Sequence, residues 1–273
     1  MYTTPQKKSM KRPYTTVDDI KDTFLVMQKG NKTKHDFHQK NIEDDDEFRF
    51  MKLLLEKNKN FASNDFGILL GNYNEIIIVC NTWLLKIAAQ HNLSDDIFFR
   101  AIYILYRYLV KGNISDFVKE HYLFAAVCLN IANKIDTVKN HLKPSKLITN
   151  EHKLQQNSVL DMIRVERLII SHLEWEFTQI QPPHTFFNSC YLIFDMHPKI
   201  MKTAASCAKK CILSNFFMFF SGVRLSLYCL LASFIHHRHF FYYYEIIDIY
   251  CINESNEEIQ RMAEEVLKVF KTR

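Results

Sequence analysis

The chain has 273 residues, 48% of them hydrophobic and 14% aromatic, enough apolar material for one large core or two ordinary ones. Five glycines and six prolines leave little room for the tight turns of a β-sandwich or for a glycine-rich phosphate loop, so composition favours helices with short connections. The net charge of +5, from 35 basic and 30 acidic residues, describes a mixed surface rather than the basic stripe of a nucleic-acid binder.

Residues 1–45 are polar and mixed in charge and lead into the acidic run Glu43-Asp44-Asp45-Asp46-Glu47. Such a stretch cannot bury enough apolar surface to offset its ordering entropy, which predicts a disordered tail. Its basic cluster, Lys7, Lys8, Lys11 and Arg12, has the form of a nuclear import signal and predicts a nuclear protein. No apolar core near Met1 suggests a secretory signal.

Phe48, Met51, Leu54 and Leu55 begin a short amphipathic helix. A polar link follows, and then five helices are predicted in quick succession. The first covers about 72–91, with Ile76, Val79, Cys80, Trp83 and Ile87 on the face expected to be buried. The second covers about 95–110, opened by Ser94-Asp95-Asp96 as cap and acidic first turn and closed by Gly112 as a C-cap. The third covers about 116–135, the fourth about 144–149 with Pro144 in its first turn, and the fifth about 156–173.

Gln181-Pro182-Pro183-His184-Thr185 is the clearest internal boundary, because two prolines in a row end a helix. Helical rhythm resumes over about 184–194, 199–213, 222–236, 243–250 and 254–270. The expected fold is all-α: two tandem five-helix bundles after a short helix and a disordered tail. The expected divisions are 1–45, 46–180 and 181–273. The apolar segment from Cys211 to Ile235 is split by Arg224 into uncharged runs of 13 and 11 residues, each too short to span a bilayer, so no membrane partner is expected.

The seven cysteines are odd in number and form no C-x-x-C pair, which predicts buried reduced thiols and no metal site. His236-His237-Arg238-His239 reads as the basic end of a helix rather than a ligand cluster. No phosphate loop, nucleophile elbow or H-E-x-x-H motif occurs, so neither catalysis nor a cofactor is expected.

Two charges interrupt apolar stripes. Leu123, Val127, Ile131 and Lys134 step by four, four and three; Met162, Glu166, Ile169 and Leu173 step by four, three and four. An unpaired buried charge costs several kcal/mol, so Lys134 and Glu166 are expected to meet at the rim of a core.

The order and spacing of several elements resemble the cyclin box. They are Trp83-Leu84 in the first helix, Ala101 through Leu109 with Arg107-Tyr108 in the second, Ala132-Asn133-Lys134 closing the third, and Glu166 followed nine residues later by Trp175. The resemblance covers about residues 48–195. It implies that Trp83, Leu84, Ala101, Arg107, Tyr108 and Ala132 support the box. It also implies that Lys134, Glu166, Asp136, Thr137, Ile170 and Trp175 bind a cyclin-dependent protein kinase, positioning its C helix. Pro183-His184-Thr185 and the insert over 141–155 are similar to transcription-associated cyclins such as cyclins T, K and L, which implies a regulatory subunit in transcription control. The chain departs from the mitotic pattern at Ile77 and Tyr106, where an Arg–Asp pair is usual, and at Thr137, where an acid is usual. The alternatives are a cell-cycle cyclin and a cyclin-fold general transcription factor resembling transcription factor IIB. The second expects a zinc ribbon and a basic face, so direct nucleic-acid binding is not expected.

Overall fold

The computed structural model describes residues 73–112, 114–136, 142–175, 177, 183–194, 196–214, 222–239, 242–243, 246–247 and 255–272. Nine α-helices and one short 3-10 turn occur among them, and no strand. The tail, the helix expected from Phe48, Cys251 and Thr137 lie outside the described residues. All the helices belong to a single unit of the chain.

Helices α1 (Asn74–Gln90), α2 (Asp95–Lys111), α3 (Ile114–Asp136), α4 (Pro144–Asn150) and α5 (Val159–Leu173) come before the prolines. Helices α2 and α3 are the central pair, with α1 and α5 packed against both. Close approach is possible because α3 turns Ala125, Ala126, Cys128 and Ala132 into the core, each fully buried. The start of α2 is set as its sequence predicts: Ser94 accepts from the Ile97 N–H, with Asp95 and Asp96 in the first turn.

Gly112 ends α2, though not by the left-handed conformation common at helix ends. Its φ is −100° and its ψ −171°, an extended backbone open to any residue. Glycine is needed for space: a Cβ here would lie 2.6 Å from the Tyr108 ring and 2.8 Å from the Tyr108 carbonyl oxygen.

Helix α3 begins at Ile114 and bends at Glu120, whose φ of −127° and ψ of 34° leave the helical region. Helix α5 begins at Val159, three residues after the expected start. Ser158 and Asp161 form a reciprocal capping box that fixes that boundary.

The second group is α6 (Pro183–Phe194), α7 (Pro198–Ile212), α8 (Gly222–His237) and α9 (Asn256–Lys271). Pro183 sits in the first turn of α6, where its missing N–H has no helical partner to lose. Helix α8 is buried on all sides and packs against α6, α7 and α9. The described residues of the apolar segment from Cys211 to Ile235 fall at the end of α7 and on α8. No helix among the described residues is long and apolar enough to cross a membrane.

The two groups touch where α2 meets α6. Polar contacts from Asn81 and Asp95 also join the two groups. Asn81 on α1, fully buried, donates from Nδ2 to the Tyr106 hydroxyl at 2.6 Å and to the Ile212 carbonyl of α7 at 3.1 Å. Asp95 pairs with Lys209 of α7 at 2.7 Å and lies 3.6 Å from His184 of α6.

Candidate functional site

The apolar stripe expected on α1 is rotated. The buried residues are Ile77, Cys80, Asn81, Leu84, Ile87 and Ala88, while Val79 is exposed and Ile76 and Trp83 are half-buried. The run Ile76-Ile77-Ile78-Val79-Cys80 is apolar on every side, so periodicity could not choose a face. Trp83 lies at the edge of the core and meets Tyr122 edge-on, with ring centroids 5.4 Å apart. Leu84, Ala101, Tyr108 and Ala132 are fully buried, and Arg107 is half-buried.

Lys134 and Glu166 meet. The Lys134 Nζ donates to Glu166 Oε1 at 2.5 Å, joining the end of α3 to the middle of α5. Neither charge is buried as its stripe suggests: the Lys134 side chain is 43% exposed and that of Glu166 20%. Beside Glu166, Met162, Ile169 and Leu173 fill the core.

A second ion pair shows how α5 lies. Arg164 donates to Glu120 Oε2 at 2.7 Å. Arg164 and Glu166, two residues apart, therefore reach residues 14 apart on α3, a separation of about 20 Å along a helix. Helix α5 crosses α3 rather than running beside it. The Lys134 end and one flank of α5 form a corner open to solvent.

The remaining predicted contacts divide. Ile170 is half-buried one turn beyond Glu166, on the same flank. Trp175 is 73% exposed. It is presented by a backbone that no glycine relieves: Glu174 has φ 52° and Trp175 φ 63°, two consecutive left-handed residues. Glu174 in this conformation caps the end of α5, its N–H and that of Trp175 both returning to the Ile170 carbonyl, and the turn carries Trp175 outward. Asp136 does not stand free. It pairs with Arg100 of α2 at 3.8 Å, so its charge is partly committed within the chain.

Residue-pattern reasoning missed several members of this surface. Ile135, Val159, Leu160 and Ile163 are exposed apolar residues flanking the ion pair. Their signal was present as a second stripe, Val159, Ile163, Glu166 and Ile170, interleaved with the buried one. Asn81 was visible as a lone amide in an apolar run.

Elsewhere the chemistry is quiet. Six cysteines are free and buried, and burial raises the Cys80 and Cys207 thiols to about 12, far from thiolate reactivity. His236 meets Phe270 edge-on, and His237 Nε2 lies 2.8 Å from the Thr203 hydroxyl at the end of α8. No cluster of His, Cys, Asp or Glu among the described residues has metal-binding geometry.

Residues 54–178 match the family described as cyclin, N-terminal domain. The fold is a cyclin fold. A viral cyclin from herpesvirus saimiri superimposes with a TM-score of 0.65 at 17% identity, covering 82% of this chain and 96% of that one. No curated protein matches the chain. Within this cyclin fold the Lys134–Glu166 corner lies in the matched region, as does Trp175.

Proposed function

We propose that the chain is a regulatory cyclin subunit that binds and activates a cyclin-dependent protein kinase, and that it performs no chemistry itself. The observation that carries this reading is the Lys134–Glu166 pair, held half open to solvent between α3 and α5 with the exposed Trp175 beyond it. An ammonium has three donors, and Glu166 takes one. Those remaining suit backbone carbonyls of a docking helix, while Glu166 Oε2 suits an N–H. Trp175 offers the large flat apolar area typical of a binding hot spot.

The activation follows from differential binding. A surface complementary to the inward position of the kinase C helix stabilises that state over the outward one, and brings the helix glutamate to the catalytic lysine. Residues 46–180 and 181–273 form the two boxes, the first gripping the kinase. The similarity of Pro183-His184-Thr185 to transcription-associated cyclins supports a role in transcription control, and the basic cluster of the tail supports nuclear location.

The test is co-purification of the tagged full chain from native extract, identification of any bound kinase, and assay of that kinase with and without the chain. Recovery of a transcriptional kinase, activated by the wild-type chain and not by the double variant Lys134→Ala/Glu166→Ala, is expected. A cell-cycle kinase instead would reassign the pathway. Recovery of no kinase, or equal activation by the double variant, would overturn the reading.

A further inference from the structure

His184 sits in the first turn of α6, and its ring is fixed by aromatic neighbours from both groups of helices. Phe99 of α2 lies tilted against it, with ring centroids 5.5 Å apart, and Phe187 of α6 meets it edge-on at 5.8 Å. Its two nitrogens face two different carboxylates at the start of α2. Nε2 lies 3.6 Å from Asp95 Oδ2, and Nδ1 lies 3.4 Å from Asp96 Oδ1. Lys209 of α7 pairs with Asp95 at 2.7 Å. Arg100 of α2 and Asp136 of α3, themselves 3.8 Å apart, act on Asp96. Helix α8 also packs on α6 and brings His184 no ion pair among the described residues.

A neutral imidazole has one N–H and one lone pair. Whichever nitrogen carries the hydrogen, the other turns its lone pair toward a carboxylate oxygen. The surroundings choose the tautomer. His184, and then Lys209 against the opposing effect of burial, hold the Asp95 carboxyl below its ordinary range. Asp95 is therefore the ionised acceptor that Nε2–H faces, and Nδ1 is left facing Asp96. Nδ1 and Asp96 Oδ1 are both buried, and neither has a hydrogen-bond partner among the described residues. Two acceptors cannot satisfy each other, whereas one proton between them satisfies both. Burial also raises the Asp96 carboxyl above its ordinary range, which suits it to hold that proton. The charges agree: three carboxylates, Asp95, Asp96 and Asp136, face two cations, Arg100 and Lys209, so the cluster lacks one positive charge when His184 is neutral.

We propose that the junction of the two helix groups is a proton-binding site, in which one proton between His184 Nδ1 and Asp96 Oδ1 locks α6 to α2 and strengthens their union as pH falls through the neutral range. The proton can sit on either atom, so its affinity belongs to the pair. In the unfolded chain the imidazole binds a proton only below about pH 6.5 and the carboxyl only below about pH 4. From about pH 8 to about pH 6.5 the folded chain thus binds more protons than the unfolded one, and stability rises as pH falls. At lower pH the unfolded imidazole also binds a proton and the gain levels off.

The test uses the full chain and urea unfolding between about pH 5 and about pH 8. The variant is Asp96→Asn, whose amide N–H can itself donate to His184 Nδ1, so that no added proton is needed. Glu257→Gln, which removes an exposed first-turn carboxylate from α9, is the control. Between about pH 8 and about pH 6.5 the folding equilibrium constant of the wild type is expected to gain up to about tenfold per unit fall in pH relative to Asp96→Asn, with Glu257→Gln following the wild type. Taking the difference between chains removes the contribution of the other histidines. Long-range proton–nitrogen spectra of the histidine rings read the site directly, the His184 signals being those absent from His184→Gln. In the wild type at about pH 7, Nδ1 is expected to share a proton that it lacks in Asp96→Asn. An equal slope in the wild type and Asp96→Asn overturns the inference, because Asp96 then has a structural role alone. A slope lost equally in Glu257→Gln overturns it as a general effect of charge. A bare Nδ1 lone pair in the wild type down to about pH 6.5 overturns it without reference to unfolding. None of these outcomes bears on the kinase reading, which stands or falls by its own experiment.

Discussion

Cutting the Lys134–Glu166 pair separates two roles that one contact can play. In the free chain the side chains are 43% and 20% exposed, so the pair is a surface salt bridge worth about 0–1 kcal/mol. Glu166→Ala should therefore lower the melting temperature by no more than about 4 °C. In the proposed kinase complex the same groups would be covered, and Glu166→Ala would leave Lys134 desolvated without its partner. That loss costs about 2–5 kcal/mol of binding, a weakening of about 30-fold or more. The assays are thermal melting of the free chain and calorimetric titration with the kinase. The charge swap Lys134→Glu/Glu166→Lys sharpens the contrast. It should restore the melting temperature and leave binding impaired, because donor and acceptor face the wrong carbonyls and N–H groups. Wild-type affinity in the swapped chain would refute the argument, since the pair would then act only as an internal bridge.

Three further outcomes follow from the packing. Asn81→Ala removes a donor that serves both the Tyr106 hydroxyl and the Ile212 carbonyl, and should destabilise the fold by about 2–4 kcal/mol in urea titration; Tyr106→Phe, which leaves the Ile212 bond intact, should cost less. Gly112→Ala places a Cβ against the Tyr108 ring and its carbonyl, which cannot both move, and should cost about 1–3 kcal/mol, read as a lower melting temperature. His184 and then Lys209 hold the Asp95 carboxyl below its ordinary range, so its contribution is present above about pH 4 and lost as pH falls through the lowered value. Asp95→Asn should flatten that part of the acid unfolding curve, and an unchanged curve would remove Asp95 from the junction.

Much of the fold was legible because its signals are local. Ser94 and Asp95 marked the start of α2, Pro144 the start of α4, the two prolines at 182 and 183 the boundary at which α6 begins, and the glycine after Lys111 the end of α2. These depend on neighbours within a turn, where chain geometry leaves few choices. The meeting of Lys134 with Glu166 was also legible, since two charges on apolar stripes each require an answer.

What the chain alone could not decide was orientation. The buried face of α1 needed the neighbours that cover Ile77 and leave Val79 in solvent. The crossing of α3 by α5 depended on which side chains Arg164 and Glu166 could reach, and those lie 44 and 32 residues away. Val159 and Ile163 on α5 are exposed, and Lys134 is half exposed. Sequence determined that this chain makes helices, where they begin, and that two opposite charges belong together. Only the packing decided which face of α1 is buried and how α5 crosses α3, because burial is shared among distant segments and no single helix carries that information.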